Sequence, residues 1–195
     1  PSRKSAASRA IAVYRDPSCQ SPGIARAEQL HGKELSYNNI NDGAAALSLA
    51  EALRALFPRE HAACVVKHTN PCGAAIAASA RDAIDEAIAG DPVAAFGGIV
   101  ACGSPIDEPA AERLCAKDAF FEVVIAPSFT PGALNALRSR WANLRILAAG
   151  DLDAPRAAHE RELRSIPGGL LVQERDAKFI TEPAHAAGPA ATPSQ

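Results

Sequence analysis

The sequence predicts an α/β fold in which helices are layered around a mixed or parallel sheet. Short apolar runs alternate with stretches of helical period, the pattern of strands and helices in succession. Capping and turn residues fall at the junctions between them. At 195 residues, with 48% apolar and 22% charged residues, the chain is long enough to bury one substantial core and has the balance of an ordinary globular domain.

In chain order, residues 1–10 are Ser, Arg and Ala without a period and are expected to be loose. Ile11 to Tyr14 reads as a short strand closed by Asp16-Pro17, and Pro22-Gly23 as a further break. Gln29 to Lys33 is ambiguous, an edge strand being one reading. The polar stretch from Ser36 to Asp42 precedes a helix, with Asn41 or Asp42 as its N-cap and Pro58 ending it after Phe57. Ala46, Leu49, Ala50 and Leu53 share one face of that helix. For Asn38 and Asn39 the local pattern favours capping and turn formation, although amides ahead of a helix N-terminus also suit a polar or anionic ligand.

Ala62 to Val66 reads as a strand buried on both faces, as in a parallel sheet. The run stops at Lys67 and His68, and Thr69-Asn70-Pro71-Cys72-Gly73 reads as a tight turn in which Gly73 can supply a positive φ. Open α/β sheets bind ligands at the carboxyl ends of their strands, so a Lys-His pair at such an end is placed for chemistry. Successive strand side chains point to opposite faces; for both groups to reach one ligand the strand must break there. The plain alternative is a solvated Lys and a hydrogen-bonded structural His.

Ser79 caps a helix to about Ala89. Gly97-Gly98 permits close approach of a ligand or of a packed element, and Phe96 is by default core. A strand follows from Ile99 to Cys102, then a helix capped at Asp107 and running to about Lys117. Phe120 to Pro127 reads as a buried strand interrupted by one acid, Glu122. Thr130-Pro131 opens a helix to about Arg140, and Leu144 to Ala148 is another strand. Residues 150–165 form a charged loop or helix, and Gly168 to Val172 a last short strand. From Ala184 the composition is that of a flexible tail. The expected division is a divergent segment 1–13, a domain 14–183 and a tail 184–195.

Charge excludes some classes of partner. The net charge of −2 offers no basic field for nucleic acid or an anionic membrane. No apolar run approaches a transmembrane span and no signal-peptide core is present, so a cytoplasmic protein is expected. Five scattered cysteines without a CxxC indicate neither a disulfide framework nor a zinc knuckle; most are expected to be small core residues in a reducing compartment. Only five of the 20 basic residues are Lys, which singles out Lys67. No GxSxG or Cys-His signature is present. His68 ahead of Pro71-Cys72 invites comparison with zinc deaminases, but the signature requires His-x-Glu and Pro-Cys-x-x-Cys, and neither occurs. No metal site is expected.

Five strings occur in order: Gly32-Lys33-Glu34-Leu35-Ser36-Tyr37-Asn38-Asn39, Val66-Lys67-His68-Thr69-Asn70-Pro71-Cys72-Gly73, Asp91-Pro92-Val93-Ala94-Ala95-Phe96-Gly97-Gly98, Glu122-Val123-Val124-Ile125-Ala126-Pro127 and Gly168-Gly169-Leu170-Leu171-Val172-Gln173. Together they resemble the formyltransferase domain of the bifunctional purine biosynthesis protein, which also carries IMP cyclohydrolase; the resemblance runs from about Tyr14 to Arg175. It implies a layered α/β/α sheet, one of two cytidine-deaminase-like halves without zinc. The implied reaction is formyl transfer from 10-formyltetrahydrofolate, a co-substrate, to the 5-amino group of aminoimidazole carboxamide ribotide (AICAR). The implied state is a homodimer with sites near its interface. By motif, His68 is the proton-transfer residue at the substrate amine, and Lys67 positions substrate and assists proton movement at the folate. Asn38, Phe96, Gly97 and Glu122 match positions around the ribotide or folate.

The sequence also departs from the family. The Arg-Tyr-Gly-Glu-Asn-Pro-His-Gln segment expected before Tyr14, whose Arg grips the ribotide phosphate, has no counterpart. The cyclohydrolase domain and the second half of the transferase domain are absent. With a chain that begins at Pro1 and has no Met, a fragment is expected, and the alternative to an enzyme is a non-catalytic half-domain that folds, dimerises or binds a nucleotide without turnover.

Overall fold

The computed structural model describes residues 11–15, 22–152 and 161–174. Up to Ala157 the chain forms one compact unit, and from Ala158 a second. The first is a six-stranded mixed sheet between two helical layers. Its strands are β1 (Glu28–His31), β2 (His61–Lys67), β3 (Asn70–Ala77), β4 (Gly98–Cys102), β5 (Phe121–Ala126) and β6 (Arg145–Ala148), in the spatial order β1-β6-β5-β4-β2-β3. The helices are α1 (Tyr37–Leu56), α2 (Ala80–Ala89), the single turn α3 (Pro92–Ala95), α4 (Glu108–Leu114) and α5 (Pro131–Arg140). The second unit is an antiparallel hairpin of β7 (Arg161–Ile166) and β8 (Gly169–Glu174).

Strand alternation divides the core into two layers. Ala63, Val65, Val100, Cys102 and Val124 face one side, where they pack with α2, α4 and α5 through Ile84, Leu114 and Leu137. Cys64, Val66, Ile99, Ala101, Val123 and Ile125 face the other, against Ala46, Leu47 and Ala50 of α1. Small residues let α1 lie close to the sheet: a Cβ at Gly43 would come within 3.1 Å of Ile24 and 3.2 Å of Ile125. No helix among the described residues is long and apolar enough to cross a membrane.

Several expectations are corrected. β2 is antiparallel to both of its neighbours, β3 and β4, while β4, β5 and β6 run parallel. A strand covered by helices on both faces is apolar throughout whatever its direction, so the Ala62–Val66 run carried no directional information. The expected turn over Thr69 to Gly73 is instead a two-residue turn at His68-Thr69 followed by β3. Pro71 is tolerated because β3 is an edge strand, and the pairing skips Cys72 in a bulge-like irregularity. Gly73 does not have a positive φ; it is glycine because a Cβ there would lie 2.0 Å from the Ala87 carbonyl oxygen of α2.

Helix α1 begins earlier than expected, at Tyr37, because Ser36 and Asn39 form a reciprocal capping box. Ile11 to Tyr14 forms no strand, and α4 ends at Leu114, three residues short of Lys117. Within 150–165 the chain forms β7 from Arg161. The expected edge strand (β1), the Ser79, Asp107 and Thr130 caps and the strands at 99–102, 121–126 and 145–148 are present. Asp16-Pro17, Cys19, the loose segment 1–10 and the tail from Ala184 lie outside the described residues.

Cys64 and Cys102 are buried in the core, and Cys72 and Cys115 are half-buried; all four are free thiols. Burial pushes the Cys64 thiol up from 9.0 to about 12, and Cys102 is pushed up by the same cause.

Two measurements check this packing. Gly73→Ala must force β3 from α2 and is expected to cost about 3 kcal/mol in urea unfolding, the upper end of overpacking penalties; a cost below about 0.5 kcal/mol contradicts the close approach. For the thiols, the native groups stay protonated while unfolded ones ionise above about pH 9, so the unfolded state binds fewer protons and stability falls as pH rises from 9 towards 12. The loss approaches about 1.4 kcal/mol per pH unit per thiol. Unfolding measured at pH 9 and 10 is expected to show a shallower loss in Cys64→Ala than in the parent chain.

Candidate functional site

The antiparallel direction of β2 decides where the candidate residues meet. Its carboxyl end at Lys67 lies beside the amino ends of β4 at Gly98, β5 at Phe121 and β6 at Arg145, and beside the carboxyl end of β1 at His31. All the expected site residues therefore cluster at one sheet edge, the amino edge of the parallel strands, and not at the carboxyl ends that the general rule for open α/β sheets suggests.

At the tip of the β2–β3 hairpin, His68 has φ 55° and Thr69 φ 63°. Such left-handed conformations match the tight hairpin turns usually made by Asn-Gly, and in residues with a Cβ they cost of order 1–3 kcal/mol each. The break in strand geometry at His68 meets the condition for both side chains to serve one ligand. Asp42 of α1 accepts the His68 N–H through Oδ2 (2.9 Å) and the Thr69 N–H through Oδ1 (3.0 Å). The His68 carbonyl accepts from the Thr69 hydroxyl at 2.7 Å and the Asn70 amide at 2.8 Å. His68 is exposed, and its imidazole makes no hydrogen bond among the described residues.

Lys67 Nζ donates to the Phe96 carbonyl at 2.9 Å. That carbonyl is available because α3 is one turn long and Phe96 closes it in extended geometry. Gly97 follows with φ 77° and donates its N–H to the Phe120 carbonyl at 2.7 Å. The glycine pair thus serves a packed element at Gly98, where a Cβ would meet Val65 and the Ala95 carbonyl at 3.0 Å. Phe96 is corrected from core to surface: it is 56% exposed. Its ring lies 5.2 Å from that of Phe120, which is 6.2 Å from Trp141.

Glu122, the second residue of β5, is exposed, so the acid that interrupts the buried strand is not itself buried. Its Oε2 accepts from Asn39 Nδ2 at 2.9 Å and lies 3.8 Å from Arg145 Nη1. Asn38 is exposed, whereas Asn39 is 4% exposed and serves both the Ser36 cap and Glu122. Beside Glu122, a cleft of about 430 Å³ is lined by Lys33, Phe120, Arg140, Trp141 and Arg145, among others. The Arg140 guanidinium sits 4.4 Å over the Trp141 ring. Aromatic faces, cationic heads and one acceptor carboxylate suit a planar, anionic, hydroxyl-bearing ligand. Among the described residues no group of three or more His, Cys, Asp or Glu could hold a metal ion.

The capping role read for Asn39 is present; sequence reasoning missed its bond to Glu122 and the roles of Asp42 and Arg145. The available signal was the Ser-x-x-Asn spacing of a capping box; the long-range partners of Asp42 and Arg145 leave no local trace. Asn39→Ala removes a cap and a partner of Glu122 and is expected to cost about 2 kcal/mol in thermal or urea unfolding. Asn38→Ala on the exposed side is expected to stay within about 0.5 kcal/mol; equal costs would contradict the assignment of the network to Asn39.

The family model described as AICARFT/IMPCHase bienzyme matches residues 7–194. Proteins named bifunctional purine biosynthesis protein PurH are similar: that of Bacillus mycoides is 46% identical over 171 residues, covering 88% of this chain and 32% of its own length. That of Rhodopirellula baltica is 42% identical over 175 residues with the same coverage, and that of Bacillus cereus strain B4264 is 45% identical over 169 residues, with 87% and 31% covered. The chain spans about a third of the length of these relatives. By the extent of the family match, the chain belongs to the AICARFT/IMPCHase bienzyme family of purine biosynthesis.

Proposed function

We propose that this chain carries part of the formyltransferase site of its family, acting on AICAR with 10-formyltetrahydrofolate as co-substrate. The observation that carries the reading is the convergence of Lys67, His68, Phe96, Gly97 and Glu122 at one sheet edge. In the proposed reaction the AICAR 5-amino nitrogen attacks the formyl carbon; the new C–N bond forms as the bond to folate N10 breaks. The amine loses a proton to His68, and N10 gains one with the help of Lys67. An arylamine-type nitrogen is weakly nucleophilic, and a positioned imidazole base suits its deprotonation near neutral pH. An exposed imidazole that makes no hydrogen bond among the described residues suits that role. The base supplies roughly 10²–10⁴-fold, and alignment of two large substrates the remainder. Glu122, which lines the cleft, and Asn38 belong in this reading to the ribotide or folate surroundings. The same proposal includes a homodimer, completion of the site by the second half of the transferase domain, and a cytoplasmic setting without a resident metal.

A second reading is a domain that binds the ribotide without turnover. Calorimetric titration of AICAR, and a formyl-transfer assay with the remainder of a PurH relative added in trans, separate the two. His68→Ala is expected to weaken binding and to lower any transfer rate roughly 10²–10⁴-fold. Binding that depends on His68 without transfer supports the second reading; neither binding nor transfer rejects both.

A further inference from the structure

We infer that Asp42 is the positioning residue of the Lys67-His68 pair: its carboxylate holds open a left-handed turn that the local sequence would not hold alone. The turn has two consecutive residues with positive φ, His68 and Thr69, and neither is a glycine. Thr69 is β-branched, for which this region is a genuine outlier. Tight hairpin turns of this kind ordinarily rely on Asn-Gly, so the conformation must be imposed from outside the hairpin.

Asp42 is the outside group. It lies 26 and 27 positions away in sequence, on the second turn of α1, and spends one oxygen on each of the two amides, at 2.9 and 3.0 Å. Charge-assisted bonds from an anionic acceptor are the stronger class. The rest of the turn closes on itself through the His68 carbonyl, which accepts from Thr69 and Asn70. Both amides that flank the His68 Cα are thereby oriented by α1, and α1 is seated on the sheet by Ala46, Leu47 and Ala50. Three residues before Asp42 on the same helix, Asn39 holds Glu122. One helical turn thus sets two parts of the candidate site, the hairpin tip and Glu122 near the start of β5. The consequence for proton transfer rests on the reading of His68 given above; the clamp itself does not.

The test compares the parent chain with Asp42→Ala, Asp42→Asn and Asp42→Ala combined with Thr69→Gly, since glycine adopts the required φ without strain. Amide hydrogen exchange followed by NMR is expected to rise roughly tenfold or more at His68 and Thr69 in Asp42→Ala, with the β2–β4 ladder unchanged. Asp42→Asn, which keeps one acceptor oxygen, is expected to expose one amide of the two and covers the case in which Asp42→Ala does not fold. AICAR titrated calorimetrically is expected to bind Asp42→Ala as weakly as His68→Ala, and the added Thr69→Gly to restore most of the affinity. That rescue distinguishes turn positioning from general loss of structure. Unchanged exchange at both amides overturns the clamp. Faster exchange with undiminished affinity, while His68→Ala weakens binding, overturns the positioning role. If the parent chain does not bind AICAR, the functional reading fails while the exchange measurement still decides the clamp.

Discussion

The β2–β4 ladder runs antiparallel in a sheet whose next three strands are parallel, and the candidate site depends on that reversal. A parallel β2 would send Lys67 and His68 to the opposite edge, more than a strand length from Glu122 and Arg145. With β2 reversed, the hairpin tip, the Phe96-Gly97 junction, the start of β5 and the loop after β1 share one rim. The strand is held in place by dispersion and burial in both layers, since Val65 and Val66 are covered from opposite faces.

Around this core the rim is built from backbone groups left over by short or broken elements. The one-turn helix α3 frees the Phe96 carbonyl for Lys67. The amides of the strained turn are taken by Asp42, and the α1 cap shares Asn39 with Glu122. Each contact crosses between elements, and those of Asp42 and Asn39 depend on helix α1 seating correctly on the sheet. The close-packed glycines serve the same end: Gly73 brings β3 under α2, and Gly32, at φ 93°, lets the chain after β1 cross the Leu144 carbonyl. A side chain at either place would displace a rim segment.

Strain and polarity are concentrated at this rim while the interior is uniform. The described core is made almost wholly of Ala, Val, Ile, Leu and Cys, with Asn39 and Ser104 the buried polar residues described. Asn39 belongs to the rim network and Ser104 bonds His61 at 2.8 Å at the opposite edge. Such a separation lets the scaffold be stable by burial and leaves groups such as His68 exposed at the rim.

Local chemistry in the sequence determined the alternation of helices and strands, the Ser79, Asp107 and Thr130 caps, the buried character of β2, β4 and β5, and the family through its ordered motifs. These depend on residues within one turn or one strand of each other, where periodicity and capping act directly. Only the tertiary structure decided the direction of β2, the place of the His68-Thr69 turn, the exposure of Phe96 and the choice of Asn39 over Asn38. A strand buried on both faces reads the same in either direction, and an aromatic residue looks like core until its neighbours are known. Asp42 and Arg145 act across 26 and 23 positions of chain, so no local pattern could announce them; their roles exist only because folding brings their partners to the same edge.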